Sequence, residues 1–326
     1  MDRWTVRLFF VLFGWLAFPF TSPAPLIYRA GEGWTYEKPG ETGSIPWQRT
    51  QAQDQLAVAQ NAFDKKDLGL ASKAAHRVLD QWPLSDSAPP AQYLIGRCYE
   101  AKKQDEKAFK AYQKVLEKYP KISNYQEILQ RQYEIANRFL AGQGFKLWGR
   151  VPFFPSMDKT ADMYEKLVKN GPYSDVAAKA QMNIGAAREK QKEFPQAVKA
   201  YERAADLYSD QKKVSANALF KAAQAYRQQA KTSEYDQNVA AQAIATFTDF
   251  ITLYPDDPRV PEAQKLIAKI KTEQARGSFK VAQFYEKKKR WDGALIYYNE
   301  VLLQDPKSSL ATQARQRIGD LKKHAK

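Results

Sequence analysis

The chain has 326 residues, with 51 Lys+Arg against 36 Asp+Glu, a formal charge of +15, 44% hydrophobic residues and 13% aromatics. That apolar mass supports a core and excludes wholesale disorder, and the length admits two compact domains or one elongated array. One cysteine, Cys98, and two distant histidines, His76 and His324, exclude a disulfide scaffold and argue against a structural zinc site.

Arg3 and Arg7 are followed by the thirteen uncharged residues 8–20, LFFVLFGWLAFPF. A positive start and a short apolar block predict an export signal. Thirteen residues rise about 20 Å as helix, short of the roughly 30 Å of a bilayer core. Ser22 and Ala24 suit cleavage and Pro25 does not, so residues 1–24 are expected to serve as a signal peptide or as an N-terminal anchor. Either way the body of the chain is expected outside the cytoplasm. Removing residues 1–24, which carry two Arg and one Asp, leaves +14. An exported basic protein is expected to meet anionic lipid, cell-wall polymer or acidic protein, and no nucleic acid.

Residues 25–50 hold Gly31, Gly33, Gly40 and Gly43 with three prolines, and neither helical nor strand period survives. They read as an extended linker. Its aromatics, Tyr28, Trp34, Tyr36 and Trp47, either pack on the first helices or form a docking strap.

Residues 51–326 are helical and repetitive. Amphipathic segments close at Trp82-Pro83, Tyr119-Pro120, Gly171-Pro172, Tyr254-Pro255 and Asp305-Pro306, and Tyr208-Ser209 holds the same place without proline. One stretch carries Gly96, Tyr99, Ala108, Tyr112 and Pro120, and the last repeats this spacing with Ala282, Tyr285, Ala294, Tyr298 and Pro306. A third gives Gly185, Ala197, Tyr201 and Ala204, with Arg188 where an aromatic is expected. These fall at positions 8, 11, 20, 24 and 32 of the tetratricopeptide helix–turn–helix. Small residues let two antiparallel helices approach, aromatics fill the space between them, and proline ends the second helix. The predicted fold is all-α, a tetratricopeptide-repeat solenoid of about six helical hairpins.

Two repeats are decorated. Residues 142–157 form a Gly/Pro-rich insertion whose Trp148, Phe153 and Phe154 the repeat does not need; they tuck back or face a partner. After Pro258 the chain reads as one long helix or two end to end, to about residue 289, with a kink or break at Gly277-Ser278. Its run Lys287, Lys288, Lys289, Arg290 is a solvated face or an anionic contact, lipid included.

No GxSxG, Walker loop, HExxH or dinucleotide glycine pattern is present. A non-catalytic chain without cofactor or metal is therefore expected. Cys98 reads as a small core residue, His76 as partnerless, and Asp256-Asp257 as caps.

The resemblance is to the BamD family of outer-membrane assembly lipoproteins. It is carried by A-x₂-A-F-x₃-D-L-G-x-A at residues 59–71, by AIATFTDFITLYP at 243–255, and by a final hairpin with Val281-Ala282, Phe284-Tyr285 and Trp291. The resemblance implies a periplasmic, outer-membrane-associated scaffold that receives unfolded outer-membrane barrel chains and holds the barrel-inserting partner. A periplasmic scaffold of the Tol-Pal or cell-wall-coordinating kind is the competing reading. The family is tethered through a lipidated cysteine after the signal. Cys98 is expected inside a helix, so no lipid attachment is expected there.

In tetratricopeptide hairpins the first helix lines the concave surface through positions 2, 5, 9 and 12. Those are Gln53, Leu56, Gln60 and Phe63 in the first repeat, and Tyr93, Arg97 and Glu100 in the second. They form the expected peptide-binding groove, with flat apolar area beside groups that bond to backbone or carboxylate. For Leu56 and Phe63, burial between helices is the competing reading.

Overall fold

The computed structural model describes residues 26–29, 33–36, 46–147, 151–152, 154–232 and 236–322. The expected signal or anchor, residues 1–24, lies outside these. The chain divides into two compact units, Met1–Tyr125 and Gln126–Lys326.

In the first unit, four helices make two hairpins: α1 (Ala52–Asp64) with α2 (Leu68–Gln81), and α3 (Ala88–Ala101) with α4 (Asp105–Lys118). Each helix packs on the next, and α1 also meets α3. Asp67 caps α2 by accepting from the Leu70 amide at 2.9 Å, and Pro89 and Pro90 occupy the first turn of α3, where their missing N–H costs nothing. The shared core is alanine-rich, with Leu56, Val78, Leu94, Ile95 and Cys98. Part of the expected linker is paired: β1 (Leu26–Arg29) and β2 (Gly33–Tyr36) run antiparallel, with Tyr28 opposite Trp34. Ile27, Tyr28, Trp34, Thr35 and Tyr36 are strand-favouring residues, a preference that the surrounding glycines hide from a periodicity count.

The second unit begins with α5 (Tyr125–Leu140) and continues through α6 (Met157–Asn170), α7 (Ala177–Lys190), α8 (Phe194–Leu207), α9 (Lys212–Thr232) and α10 (Gln237–Leu253). It ends with α11 (Val260–Lys287), α12 (Trp291–Gln304) and α13 (Ser309–Leu321). From α6 on, successive helices pack in chain order. The insertion between α5 and α6 carries a short antiparallel pair, β3 (Lys146–Leu147) with β4 (Val151–Pro152). Phe145 turns back and stacks on Phe139 of α5 at 4.2 Å. The described residues thus hold six hairpins and a last helix, the tetratricopeptide fold. α11 runs unbroken, so Gly277-Ser278 is not a break. Ser278 is buried and donates to Gln304 Oε1 at 3.1 Å, which ties the helix to α12 there. None of the described helices is long and apolar enough to cross a membrane.

The residue ahead of each landmark proline is a C-cap that has left helical backbone: Trp82 φ −132°, Tyr119 φ −131°, Gly171 φ −140°, Tyr254 φ −131° and Asp305 φ −145°. Tyr208 adopts φ −119° without a following proline, so repeat packing suffices to end α8.

Among the described residues, five of the hairpins turn through a left-handed residue. In four it is a lysine: Lys66 (φ 62°), Lys103 (φ 54°), Lys192 (φ 62°) and Lys289 (φ 57°). The following amide reaches back to close the helix, as in Gln104 N to Tyr99 O at 2.9 Å and Glu193 N to Arg188 O at 3.0 Å. After α5 the same closure uses Gly142 (φ 113°), with Gln143 N to Arg138 O at 3.1 Å.

Candidate binding surfaces

In three hairpins the repeat aromatics close the helix pair through one shared device. A methyl group on Gly96 would sit 2.3 Å from Tyr112, and one on Gly185 would sit 2.4 Å from Tyr201. The glycines are there because the rings lie directly on the helix backbone. Each ring's hydroxyl then donates to the glutamate at position 12: Tyr112 to Glu100 at 2.7 Å, Tyr201 to Glu189 at 2.8 Å and Tyr298 to Glu286 at 2.6 Å. Buried glutamines add a second tie, Gln92 to the Ala111 carbonyl at 3.3 Å and Gln181 to that of Ala200 at 3.0 Å. Where an arginine replaces the aromatic, Arg188 bonds Asp158 at 2.7 Å and Glu193 at 3.0 Å, filling the place with an ion network.

Burial raises the tyrosine hydroxyls. Tyr226 is pushed up to about 12 by burial and by the Glu202 carboxylate it bonds at 2.8 Å. Tyr201 and Tyr164 go higher, burial leading in both. An acid raised in the folded state stabilises the fold fully below the ordinary tyrosine value near 10, and that contribution is lost as pH climbs through the folded values. Tyrosinate absorbance should therefore show a late fraction that appears together with the loss of helical circular dichroism. Complete ionisation near pH 10 with helices intact would contradict this.

The expected groove residues meet in part. Arg97 lies between Phe63, 5.3 Å to the ring centre, and Tyr93, 5.8 Å, and its Nη1 donates to Tyr93 Oη at 3.3 Å. Tyr93 in turn packs against Tyr112 at 5.8 Å. Phe63, Tyr93 and Arg97 thus form one half-buried aromatic–cation cluster joining α1 and α3. Gln53 and Gln60 are exposed on α1. Leu56 is a correction: it is 9% exposed and belongs to the core. The first repeat has alanine at both aromatic positions, Ala62 and Ala75, and Leu56 shares their buried cluster. Glu100 is half-buried and its carboxylate accepts from the Tyr112 hydroxyl, so it also serves hairpin closure. Of the insertion residues, Phe154 is 76% exposed, and Trp148 and Phe153 lie outside the described residues.

Comparing the outward face of the second helix in each repeat reveals a surface that periodicity did not single out. Positions 22 and 29, two turns apart, carry opposite exposed charges in four hairpins: Lys73 and Asp80, Lys110 and Glu117, Asp162 and Lys169, Lys199 and Asp206. The fifth hairpin has Ala245 and Thr252 there. The sixth has Ile296, 65% exposed, and Leu303, 83% exposed. Neither α10 nor α12 carries a single Lys or Arg, and their acids are Asp249, Asp292 and Glu300. In a chain of +15 this is an apolar, mildly acidic face. Large exposed side chains clustered on one face mark interaction sites. The basic run lies elsewhere: Lys287 to Arg290 are all exposed at the α11–α12 turn, with Lys288 over the Phe284 ring at 5.9 Å.

Cys98 is 1% exposed inside α3, and burial pushes its thiol up, so it is not placed to react or to accept a lipid. Among the described residues no group of three His, Cys, Asp or Glu could hold a metal.

A tetratricopeptide-repeat model matches residues 90–121, the second hairpin. The family model of an outer membrane lipoprotein, YfiO, matches residues 155–324, just over half of the chain. The chain belongs to that family. YfiO is the BamD family, so the resemblance carried by the last hairpins holds, and the matched stretch contains the whole apolar face of α10 and α12. No curated protein sequence matches the chain. Among solved structures, the C-terminal part of a TPR repeat-containing protein from Cytophaga hutchinsonii aligns over 81% of this chain and 87% of its own, at 16% identity and TM-score 0.35. A MamA protein aligns over 64% and 94%, at 13% identity and TM-score 0.35. The apo form of RapI aligns over 82% and 99%, at 15% identity and TM-score 0.32. Scores of this size carry no argument about function.

Proposed function

We propose that this YfiO-family protein is a non-catalytic periplasmic scaffold of outer-membrane barrel assembly, with two separate binding surfaces. Family membership over residues 155–324 is the observation that carries this reading. The Phe63–Arg97–Tyr93 cluster would receive the unfolded barrel chain: flat rings accept apolar side chains, and a guanidinium already held between them can turn a donor to a backbone carbonyl or a terminal carboxylate. The Ile296 and Leu303 face would hold the barrel-inserting partner, which by charge should offer apolar side chains with a basic rim. Anchors of this kind dominate protein interfaces.

Ile296→Glu with Leu303→Glu should remove co-purification of an outer-membrane barrel protein bearing periplasmic repeats, and leave the helical spectrum intact because both side chains are exposed. Recovery of that partner by the double variant at wild-type level would move the interface elsewhere. Recovery of a cell-wall-coordinating protein in its place would favour the Tol-Pal kind of scaffold.

A further inference from the structure

Beside α2 lies a concavity of about 540 Å³ whose lining includes Trp47, Lys73, His76, Arg77, Asp80 and Lys102. It exists only through a convergence of separate chain segments. Trp47, half-buried against the first core, approaches from the segment ahead of α1. Lys102 reaches over from the end of α3 and is fixed by donating to the Leu68 carbonyl at 2.9 Å.

Its electrostatics are lopsided. Lys73, Arg77 and Lys102 face one acid, Asp80, and none of the four is in an ion pair among the described residues. Arg77 is the telling member. Its guanidinium rests on the buried Trp82 ring at 5.9 Å, and its Nε is buried without a hydrogen-bond partner. A buried donor left without a partner is costly, and a guanidinium presents a fork matched to an oxyanion. Three cations against one acid leave two positive charges, and a phosphate monoester carries roughly −1.5 to −2 at neutral pH. A carboxylate brings one charge and would leave the site unbalanced. Trp47 adds an amphipathic ledge suited to the boundary between a polar head and an apolar tail.

We infer that this concavity binds a phosphate group, presented by a lipid headgroup or free in solution. The site is distinct from the aromatic–cation cluster and from the basic run at residues 287–290, and it does not depend on the function proposed above.

The test uses the full chain and neutral phosphatidylcholine vesicles with and without phosphatidic acid, followed by sedimentation, and inorganic phosphate followed by thermal unfolding. Lys73→Glu reverses a charge at an exposed position and so spares the fold; Lys110→Glu is the same change at the matching position of the next hairpin. If a lipid supplies the phosphate, phosphatidic acid recruits the wild type, Lys73→Glu weakens recruitment about tenfold or more, and Lys110→Glu does not. If free phosphate is the ligand, vesicles do not recruit the protein, but phosphate raises the melting temperature of the wild type and of Lys110→Glu and not of Lys73→Glu. Equal behaviour of the two variants, or no response to either probe, would overturn the site.

Discussion

Tyr201→Ala is expected to destabilise the second unit by about 3–5 kcal/mol, the range for removing a large buried ring. Tyr201 is fully buried, its ring fills the gap over Gly185, and its hydroxyl holds Glu189 at 2.8 Å. The two contributions can be separated. Tyr201→Phe keeps the ring and should lose only the bond to a charged acceptor, about 1.5–3 kcal/mol. Gly185→Ala keeps both but places a methyl 2.4 Å from the ring, and overpacking of that kind costs about 1–3 kcal/mol. Urea unfolding followed by circular dichroism should rank alanine above the other two. A melting curve unmoved by Tyr201→Ala would mean that the repeat register is wrong. The same ranking is expected at Tyr112 and Gly96, where the geometry recurs.

The second large effect is functional. Arg97→Glu with Tyr93→Ala should weaken capture of an unfolded barrel C-terminal peptide by about 2 kcal/mol or more, near thirtyfold. The glutamate reverses the charge that would face a peptide carboxylate in the proposed groove and removes the cation from between Phe63 and Tyr93. Both residues are only half-buried, so the helices should persist, though Tyr93→Ala also strips a contact from Tyr112. Arg97→Lys is therefore the informative partner variant. It retains the charge and loses the planar stacking, and an intermediate affinity is expected. Unchanged affinity in the double variant, beside an intact helical spectrum, would relocate the site, with the insertion around exposed Phe154 the next place to look.

What the sequence disclosed followed from how strongly each position is constrained. Gly96 with Tyr112 and Gly185 with Tyr201 were legible because a ring lying this close to a helix backbone leaves no room for a methyl opposite it. Helix ends were legible from proline, which forces its predecessor out of the helix. The turns were not, because four of them place lysine at positive φ, and lysine is no turn signal; only Gly142 announces itself. Leu56 stayed open between groove and core because leucine at position 5 suits either, and it joins the alanine-rich cluster with Ala62 and Ala75. Glu100, Glu189 and Glu286 share position 12, so their common bond to tyrosine could have been read by aligning repeats with one another as well as to the general pattern. The same alignment would have exposed Ile296 and Leu303, whose counterparts in four repeats are charged. The concavity beside α2 was beyond reach, since it joins Trp47, α2 and Lys102 across three chain segments.

The most direct measurement is the wild-type arm of the peptide comparison, extended to a whole substrate. An outer-membrane barrel protein diluted from urea should bind the purified chain saturably, compete with its own C-terminal peptide, and be preferred over an unfolded soluble protein of similar size. Equal binding to both unfolded proteins, or none to the barrel chain, would contradict a scaffold that receives barrel substrates.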